Sequence, residues 1–127
     1  PGQICKIQDA KFKNACYVYA PIYYLHLHKN NYTEALAWCR TTEGGYRDAC
    51  AEGVGSQAIK ENIENPLLVE DVCTSGTLKQ LAPCIHGLVG LYTNHFASFE
   101  QSRKLCFNLQ FLNRQTCLET IDLRPPF

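Results

Sequence analysis

The sequence predicts an all-α fold, an αα-hairpin repeat solenoid with a period of about 34 residues, stapled by intra-repeat disulfides. Two observations carry this prediction. The eight cysteines stand at intervals of 11, 23, 11, 23, 11, 22 and 11 residues, so a Cys-x10-Cys unit recurs every 33 or 34 residues. Such regularity indicates one supersecondary unit copied in tandem. Helix-capping residues also recur, eight positions before the first cysteine of each complete unit, at Asn31, Asn65 and Ser98.

The whole chain is expected to form one helical-repeat domain of 127 residues. The repeats occupy about 31–64, 65–97 and 98–127, after an incomplete first copy at 1–30. The first copy is incomplete because Cys5 should close a helix whose body would lie upstream of Pro1. We therefore expect the chain to be part of a longer protein, with a degenerate terminal repeat as the alternative explanation.

The first helix of each complete repeat is predicted to begin at its capping residue. A side-chain oxygen there accepts a hydrogen bond from a free N–H of the first helical turn. A glutamate or a glutamine follows two of the caps at capping-box spacing. Pro66 follows the third in the first helical position, where its missing N–H costs nothing. The predicted first helices span 32–40, 66–74 and 99–107.

The second helix of each repeat is expected to start just before the second cysteine. Asn14 and Asp48 are candidate caps for this helix in two copies. Gly53 and Gly87 each stand three residues past a second cysteine. We interpret them as points where a neighbouring helix approaches closely, because glycine has no Cβ to obstruct it.

Distance decides which cysteines are expected to pair. Residues eleven apart on one unbroken helix lie about 16 Å apart along its axis, whereas bridged cysteines need Cα atoms within about 7 Å. A pair therefore bonds internally only if the chain reverses between its members. We predict Cys5–Cys16, Cys39–Cys50, Cys73–Cys84 and Cys106–Cys117. The alternative is that each pair lies on one continuous helix and bonds to an antiparallel neighbour, as in the twin Cys-x9-Cys proteins of the mitochondrial intermembrane space.

Composition limits the compartment and the partners. An even number of regularly spaced cysteines favours a disulfide framework and an oxidising compartment. We expect a secreted, extracellular or periplasmic protein, with the mitochondrial intermembrane space as the alternative. Twelve basic and twelve acidic residues cancel, so charge gives no reason to expect nucleic acid as a partner. No apolar run approaches the roughly 18 residues that suggest a membrane span.

Part of the repeat resembles a known family. The run Cys-Ile-His-Gly-Leu-Val-Gly-Leu-Tyr at 84–92 is similar to the Cys-x-x-Leu-Gly-x-Leu-Tyr run of the disulfide-bridged Sel1-like repeats of secreted bacterial proteins. The segment Ala-Leu-Ala-Trp-Cys at 35–39 resembles the helix end that precedes that run. The period also resembles that of tetratricopeptide repeats. The resemblance implies a curved array that binds proteins or peptides and has no catalysis of its own.

Residues with catalytic or metal-binding chemistry are few. His26 and His28 are two apart, so on a helix they point about 200° away from each other and do not share one metal ion. His86 is expected to be a hydrogen-bonded core or groove residue, and beside it Cys84 would be the thiol to test if its bridge failed. Tight zinc knuckles, nucleophile–base arrangements and phosphate loops do not occur. We therefore expect no enzyme activity, no cofactor and no metal site.

A tyrosine cluster is the strongest functional lead in the sequence. Because tyrosine rings suit recognition surfaces, we expect an interaction surface formed by Tyr17, Tyr19, Tyr23, Tyr24 and Tyr32. The alternative is an interface left bare by the incomplete first repeat. Asn31 also begins an Asn-Tyr-Thr glycosylation sequon, although we favour its role as a helix cap.

The sequence therefore predicts a secreted or periplasmic helical-repeat module for protein–protein interaction, without catalysis. The alternative is a structural subunit of a larger extracellular or mitochondrial intermembrane-space assembly. In both cases the partner is a protein, and its identity does not follow from the sequence.

Overall fold

The computed structural model describes residues 2–125, and this part of the chain contains eight α-helices, a short 3-10 helix and no β-strand. The helices are α1 (Gly2–Lys6), α2 (Ala10–Leu27), α3 (Tyr32–Cys39), α4 (Arg47–Glu61), α5 (Pro66–Thr74), α6 (Leu78–Phe96), α7 (Phe99–Asn108) and α8 (Phe111–Asp122), and the 3-10 helix is Gly44–Tyr46. The predicted all-α class is confirmed.

Four disulfides join consecutive helices: α1 to α2, α3 to α4, α5 to α6, and α7 to α8. The bonded pairs are Cys5–Cys16, Cys39–Cys50, Cys73–Cys84 and Cys106–Cys117. Their Cα atoms lie 5.5–5.6 Å apart, within the range that a disulfide spans. These are the four pairs that the sequence favours. The alternative of one continuous helix per pair is wrong, because the two cysteines of each pair lie on different helices.

The first helices begin where their capping residues predict. The Asn31 side chain accepts a hydrogen bond from the Glu34 backbone N–H at 3.0 Å. Ser98 Oγ accepts one from the Gln101 backbone N–H at the same distance. Each bond satisfies a free donor of the first turn. The starts of α3, α5 and α7 coincide with those predicted from sequence. The capping prediction is wrong for Asn65, whose side chain makes no capping hydrogen bond; Pro66 marks the start of α5 instead.

The second helices begin earlier than the sequence indicates. Asn14 lies inside α2 and Asp48 inside α4, so neither residue is a cap. Among the second helices, α6 has a capping box, formed by Thr77 and Gln80. In this box the Gln80 side chain accepts a hydrogen bond from the Thr77 backbone N–H at 3.1 Å. Two free donors are satisfied reciprocally by this pair, which fixes the start of α6 six residues before Cys84.

The long second helices α2, α4, α6 and α8 contact one another in chain order. A Cβ atom built on Gly53 would lie 1.9 Å from the Val18 carbonyl oxygen, and one built on Gly87 would lie 2.0 Å from the Glu52 carbonyl oxygen. Real side chains do not approach a backbone so closely, so only glycine permits these contacts. The interpretation of both glycines as points of close helix approach is correct.

Buried side chains also tie the last two helix pairs to the pair before them. Gln80 Nε2 donates to the Leu36 carbonyl oxygen at 2.6 Å. In the first turn of α8, Asn113 Nδ2 donates to the Glu70 carboxylate at 2.9 Å, and the same carboxylate accepts from the Gln110 backbone N–H at 2.8 Å. Gln80 and Asn113 both stand four residues before a second cysteine. The core therefore continues from one helix pair to the next through satisfied polar contacts.

Candidate functional site

A groove of about 630 Å³ crosses α2, α4 and α6. Each helix contributes residues that follow its second cysteine by two to eleven positions, and Arg124 reaches the groove from beyond α8. A volume of this size suits a small ligand or several residues of a bound chain.

The walls and floor of the groove differ in character. The wall on α2 is apolar and consists of Val18, Tyr19 and Ile22. Tyr19 is 63% exposed, so its ring is available to a bound molecule. The floor includes Gly53 and Gly87, whose missing side chains bring the three helices together.

Glu52 and His86 give the middle of the groove its polar chemistry. Burial raises the pKa of the Glu52 carboxyl above its ordinary value, and the nearby His86 opposes this rise. His86 Nδ1 is hydrogen-bonded to the Thr120 hydroxyl, and that hydroxyl donates its own proton to the Thr116 carbonyl oxygen at 2.7 Å. Nδ1 is therefore the donor to Thr120. Since neutral imidazole carries one N–H, Nε2 of neutral His86 is an acceptor.

The other end of the groove is cationic. Lys60 is exposed there, and Arg124 donates a hydrogen bond to the Asn94 side-chain oxygen. Arg124 Nε is buried and has no hydrogen-bond partner within residues 2–125. Gly90 gives this guanidinium room, because the atom nearest to a Cβ built on Gly90 is an Arg124 terminal nitrogen at 3.7 Å. Two cations beside an apolar wall provide a place for an anionic group of a ligand.

The groove does not bring together a recognisable catalytic set. Ser56 donates its hydroxyl proton to the Gly87 carbonyl oxygen at 3.2 Å, so that hydroxyl is not activated by a base. All eight cysteines are in disulfides. Within the described residues, no three or more His, Cys, Asp or Glu side chains are placed to hold a metal ion. The arrangement therefore offers binding contacts: an apolar wall, hydrogen-bonding groups and positive charge.

The predicted tyrosine surface divides into an exposed and a buried part. The expectation is wrong for Tyr17, which is fully buried and donates to the Glu43 carboxylate at 2.9 Å. Burial and this contact raise the pKa of Tyr17 to about 12. Tyr19 and Tyr23 lie on the opposite side of α2 and are 63% and 68% exposed. The cause is the helical period, because residues two apart on a helix face away from each other.

The remaining two tyrosines are half-buried and take part in packing. Tyr24 stacks on Trp38 with ring centroids 5.2 Å apart. Tyr32 donates to the Glu61 carboxylate at 2.6 Å, and burial together with this contact raises the pKa of Tyr32. Tyr24 therefore helps to join α2 to α3, and Tyr32 helps to join α3 to α4. Of the five predicted tyrosines, Tyr19 is the one that lines the groove.

The other residues singled out from sequence lie in separate places. His28 stacks on Tyr24 beyond the end of α2, and His26 is exposed in its last turn. Asn31 is exposed and caps α3 through its side-chain oxygen, so its glycosylation stays a prediction. The expected hydrogen bond of His86 is present, and His86 lines the groove.

Several groove residues were not singled out by sequence reasoning, namely Glu52, Ser56, Lys60, Leu91 and Arg124. A signal exists for the three on α4, Glu52, Ser56 and Lys60. Residues two, six and ten positions after the second cysteine lie on one side of each second helix, and this side faces the groove in α4 and α6. Aligning the copies on their second cysteines would have found this side.

No protein-family model, no curated protein and no solved structure matches this chain. The likeness to Sel1-like and tetratricopeptide repeats therefore rests on the sequence pattern alone. Within residues 2–125, no helix has both the length and the apolar character needed to cross a membrane. The four disulfides indicate a protein of an oxidising compartment.

Proposed function

We propose that this chain is a secreted or periplasmic helical-repeat module that binds a segment of another protein in the groove across α2, α4 and α6, without catalysis. The observation that carries the proposal is the groove itself. An apolar wall, a glycine floor and a cationic end lie side by side on three helices, and a disulfide joins each of these helices to the helix before it. A rigid concave surface of this kind lowers the ordering cost of binding.

The repeat solenoid is part of the proposal. Three consecutive contacts join residues at the same positions relative to the second cysteine. The Val18 and Glu52 carbonyl oxygens lie against Gly53 and Gly87, and the His86 side chain is hydrogen-bonded to the Thr120 hydroxyl. Contacts at recurring positions are expected of a stacked repeat, since each unit touches only its neighbours. The repeat boundaries at 31–64, 65–97 and 98–127 follow from the same alignment.

The groove favours a particular ligand chemistry. A large apolar side chain of the partner would lie against Tyr19 and Ile22. A carboxylate would lie between Lys60 and the terminal nitrogens of Arg124, one of which lies beside Gly90 in the groove. The partner segment is therefore expected to combine an aliphatic or aromatic residue with an acidic residue. Charge-assisted hydrogen bonds of the guanidinium and the ammonium would fix its orientation.

Selection of peptides from a random display library against the disulfide-bonded protein tests this proposal. The selected peptides should be enriched in Asp or Glu near an aliphatic or aromatic residue. Gly90→Phe should place a ring in the groove, because the new Cβ meets no backbone atom and its nearest neighbour is an Arg124 side-chain nitrogen at 3.7 Å. Lys60→Glu should repel the carboxylate. Each variant should weaken peptide binding about tenfold or more.

Lys79→Glu is the matched control, since Lys79 is an exposed lysine of α6 outside the groove. It should leave the affinity of the selected peptides unchanged. Groove binding is rejected if Gly90→Phe leaves the affinity intact, or if Lys79→Glu weakens binding as much as Lys60→Glu. Selection that yields no peptide of the expected composition also counts against it.

The second candidate function is a structural subunit of a larger extracellular or mitochondrial intermembrane-space assembly. The observation that favours it is the exposure of large apolar side chains at both ends of the helix array, among them Tyr23 at 68% and Leu123 at 83%. Exposed apolar surface of this kind often marks a contact with another chain.

A further inference from the structure

The contact between consecutive second helices has two different halves. The residue two positions after one second cysteine faces the residue three positions after the next, as in Val18 with Gly53, Glu52 with Gly87 and His86 with Thr120. We call the side of a second helix that carries the residue two positions after its cysteine the front face, and the side that carries the residue three positions after it the back face. Each contact joins the front face of one second helix to the back face of the next. Within the described chain, the back face of the first of these helices and the front face of the last therefore have no partner.

At the start of the array, the back face of α2 is bare. Tyr19 occupies the position that Gly53 and Gly87 fill in the next two copies. Phe12 and Tyr23 lie on the same side of the helix, seven residues before and four residues after it. These three rings are 52%, 63% and 68% exposed, in the order Phe12, Tyr19, Tyr23. No described part of the chain covers this surface.

At the other end, the front face of α8 is bare. Glu119 stands two positions after the last cysteine, where Val18, Glu52 and His86 stand in the earlier copies. Leu112 and Leu123 lie seven residues before and four residues after it, on the same side of the helix. They are 67% and 83% exposed, and Glu119 is exposed between them.

We propose that the front face of α8 binds the back face of α2 of a second copy of this chain, so that the protein associates head to tail. A second copy is the expected partner because contacts between a front face and a back face already occur three times inside the molecule. The two bare faces also match in spacing, because Phe12, Tyr19 and Tyr23 repeat the intervals of Leu112, Glu119 and Leu123. An interface between unlike faces leaves both ends of a dimer open to further copies.

The side chains of the two faces are complementary. Aromatic rings flank the centre of the back face, and leucines flank the centre of the front face. Burial of such side chains drives association. At the centre, the Tyr19 hydroxyl of one copy would donate to the Glu119 carboxylate of the other. The molecule already contains two such pairs, Tyr17 with Glu43 at 2.9 Å and Tyr32 with Glu61 at 2.6 Å. The one charge on the front face would therefore be paired rather than left buried alone.

Sedimentation velocity of the disulfide-bonded chain from about 1 μM to about 1 mM tests the proposal. The wild type should shift from monomer to larger species as concentration rises. A back variant, Phe12→Glu with Tyr23→Glu, and a front variant, Leu112→Glu with Leu123→Glu, should each weaken self-association about tenfold or more. All four positions are exposed, so circular dichroism should show unchanged helix content.

A mixture of the two variants provides the decisive measurement. The front variant keeps its back face, and the back variant keeps its front face, so the mixture should form a one-to-one dimer that grows no further. Leu78→Glu is the control: Leu78 is 89% exposed but lies outside both faces, and this variant should associate like the wild type.

Three results would overturn the proposal. The first is a wild type that stays monomeric across the whole range, as expected if the faces bind another protein or further repeats. The second is loss of association in the back variant alone, which indicates a symmetric contact between two α2 helices. The third is a mixture that forms no dimer. None of the four altered residues lines the groove, but Tyr19 belongs to both the groove and the back face. Peptide binding is therefore measured at concentrations where the chain is monomeric, so that it tests the proposed function separately.

Discussion

Two glycines of α6, three residues apart, should respond oppositely to the same substitution. Gly87→Ala places a methyl group 2.0 Å from the Glu52 carbonyl oxygen and 2.8 Å from the Ser56 backbone nitrogen. Gly90→Ala places one where the nearest atom is an Arg124 side-chain nitrogen at 3.7 Å, an ordinary contact distance. Both substitutions gain about 1 kcal/mol of helix propensity, so their difference measures the close helix contact alone.

The expected magnitude follows from these distances. To relieve the Gly87→Ala clash, α4 and α6 must separate by roughly 1 Å, and a gap of that size forfeits a quarter to a half of each dispersion contact across the interface. Because the obstructing atoms belong to the backbone, no side chain can move aside. Overpacking of this kind costs about 3 kcal/mol or more. After the propensity gain, Gly87→Ala should lower the free energy of unfolding by about 2 kcal/mol, whereas Gly90→Ala should raise it by about 0.5–1 kcal/mol.

Urea denaturation under non-reducing conditions measures both changes as shifts of the transition midpoint at constant slope. Equal effects of the two substitutions would refute the close contact between α4 and α6. A stabilising Gly87→Ala would refute it most directly, because helix propensity would then be the only effect present.

Three further substitutions test other contacts. Glu70→Ala should lower the free energy of unfolding by about 2–3 kcal/mol, because the buried Asn113 amide and the part-buried Gln110 backbone N–H lose their acceptor; urea denaturation checks this. Replacing Cys73 and Cys84 together by alanine should cost about 2–3 kcal/mol, mainly by freeing the unfolded chain; the same assay applies. Tyr17→Phe should lower stability by about 1 kcal/mol at neutral pH and make it less sensitive to alkali. The raised pKa of Tyr17 means that the unfolded chain releases this proton first, so the contribution of Tyr17 is complete below pH 10 and is lost as pH rises towards 12.

The Glu70 prediction has a control variant, and each of the three has a result that contradicts it. Glu64 is an exposed carboxylate in the turn before α5, so Glu64→Ala should change the free energy of unfolding by less than about 0.5 kcal/mol. If Glu70→Ala had an equally small effect, the buried hydrogen bonds of Glu70 would not stabilise the fold. For the disulfide, an unchanged midpoint would show that this bridge does not restrain the unfolded chain. For Tyr17→Phe, a stability profile parallel to that of the wild type between pH 10 and 12 would exclude Tyr17 as the titrating group.

The first helices and the disulfides could be read from the sequence because their signals are local. A capping side chain bonds to a backbone N–H three residues away, as Asn31 does with Glu34. The cysteine pairing needed one further fact, that eleven residues of unbroken helix are too long for a disulfide. The second helices were placed too late, because Asn14 and Asp48 are caps by residue type only. A side chain of that type is also compatible with a position inside a helix when the tertiary structure stabilises the turn before it.

The tyrosines of α2 mark the limit of sequence reasoning. Tyr17 and Tyr19 are alike in type and are separated by a single residue, yet one is fully buried and the other is 63% exposed. The helical period predicts that they face different ways. It does not say which side receives Glu43 and the preceding helix, because that depends on how α1, α2 and α4 are arranged in space.

The sequence alone determined the helical class, the four bridges and the two glycines at which helices meet, since each depends on spacing along one stretch of chain. Tertiary structure alone decided the groove and the two bare end faces. Glu52, His86 and Tyr19 come from three different helices, and their neighbourhood depends on the angles at which those helices cross. Those angles are set by packing of many side chains at once, and no short run of residues records them.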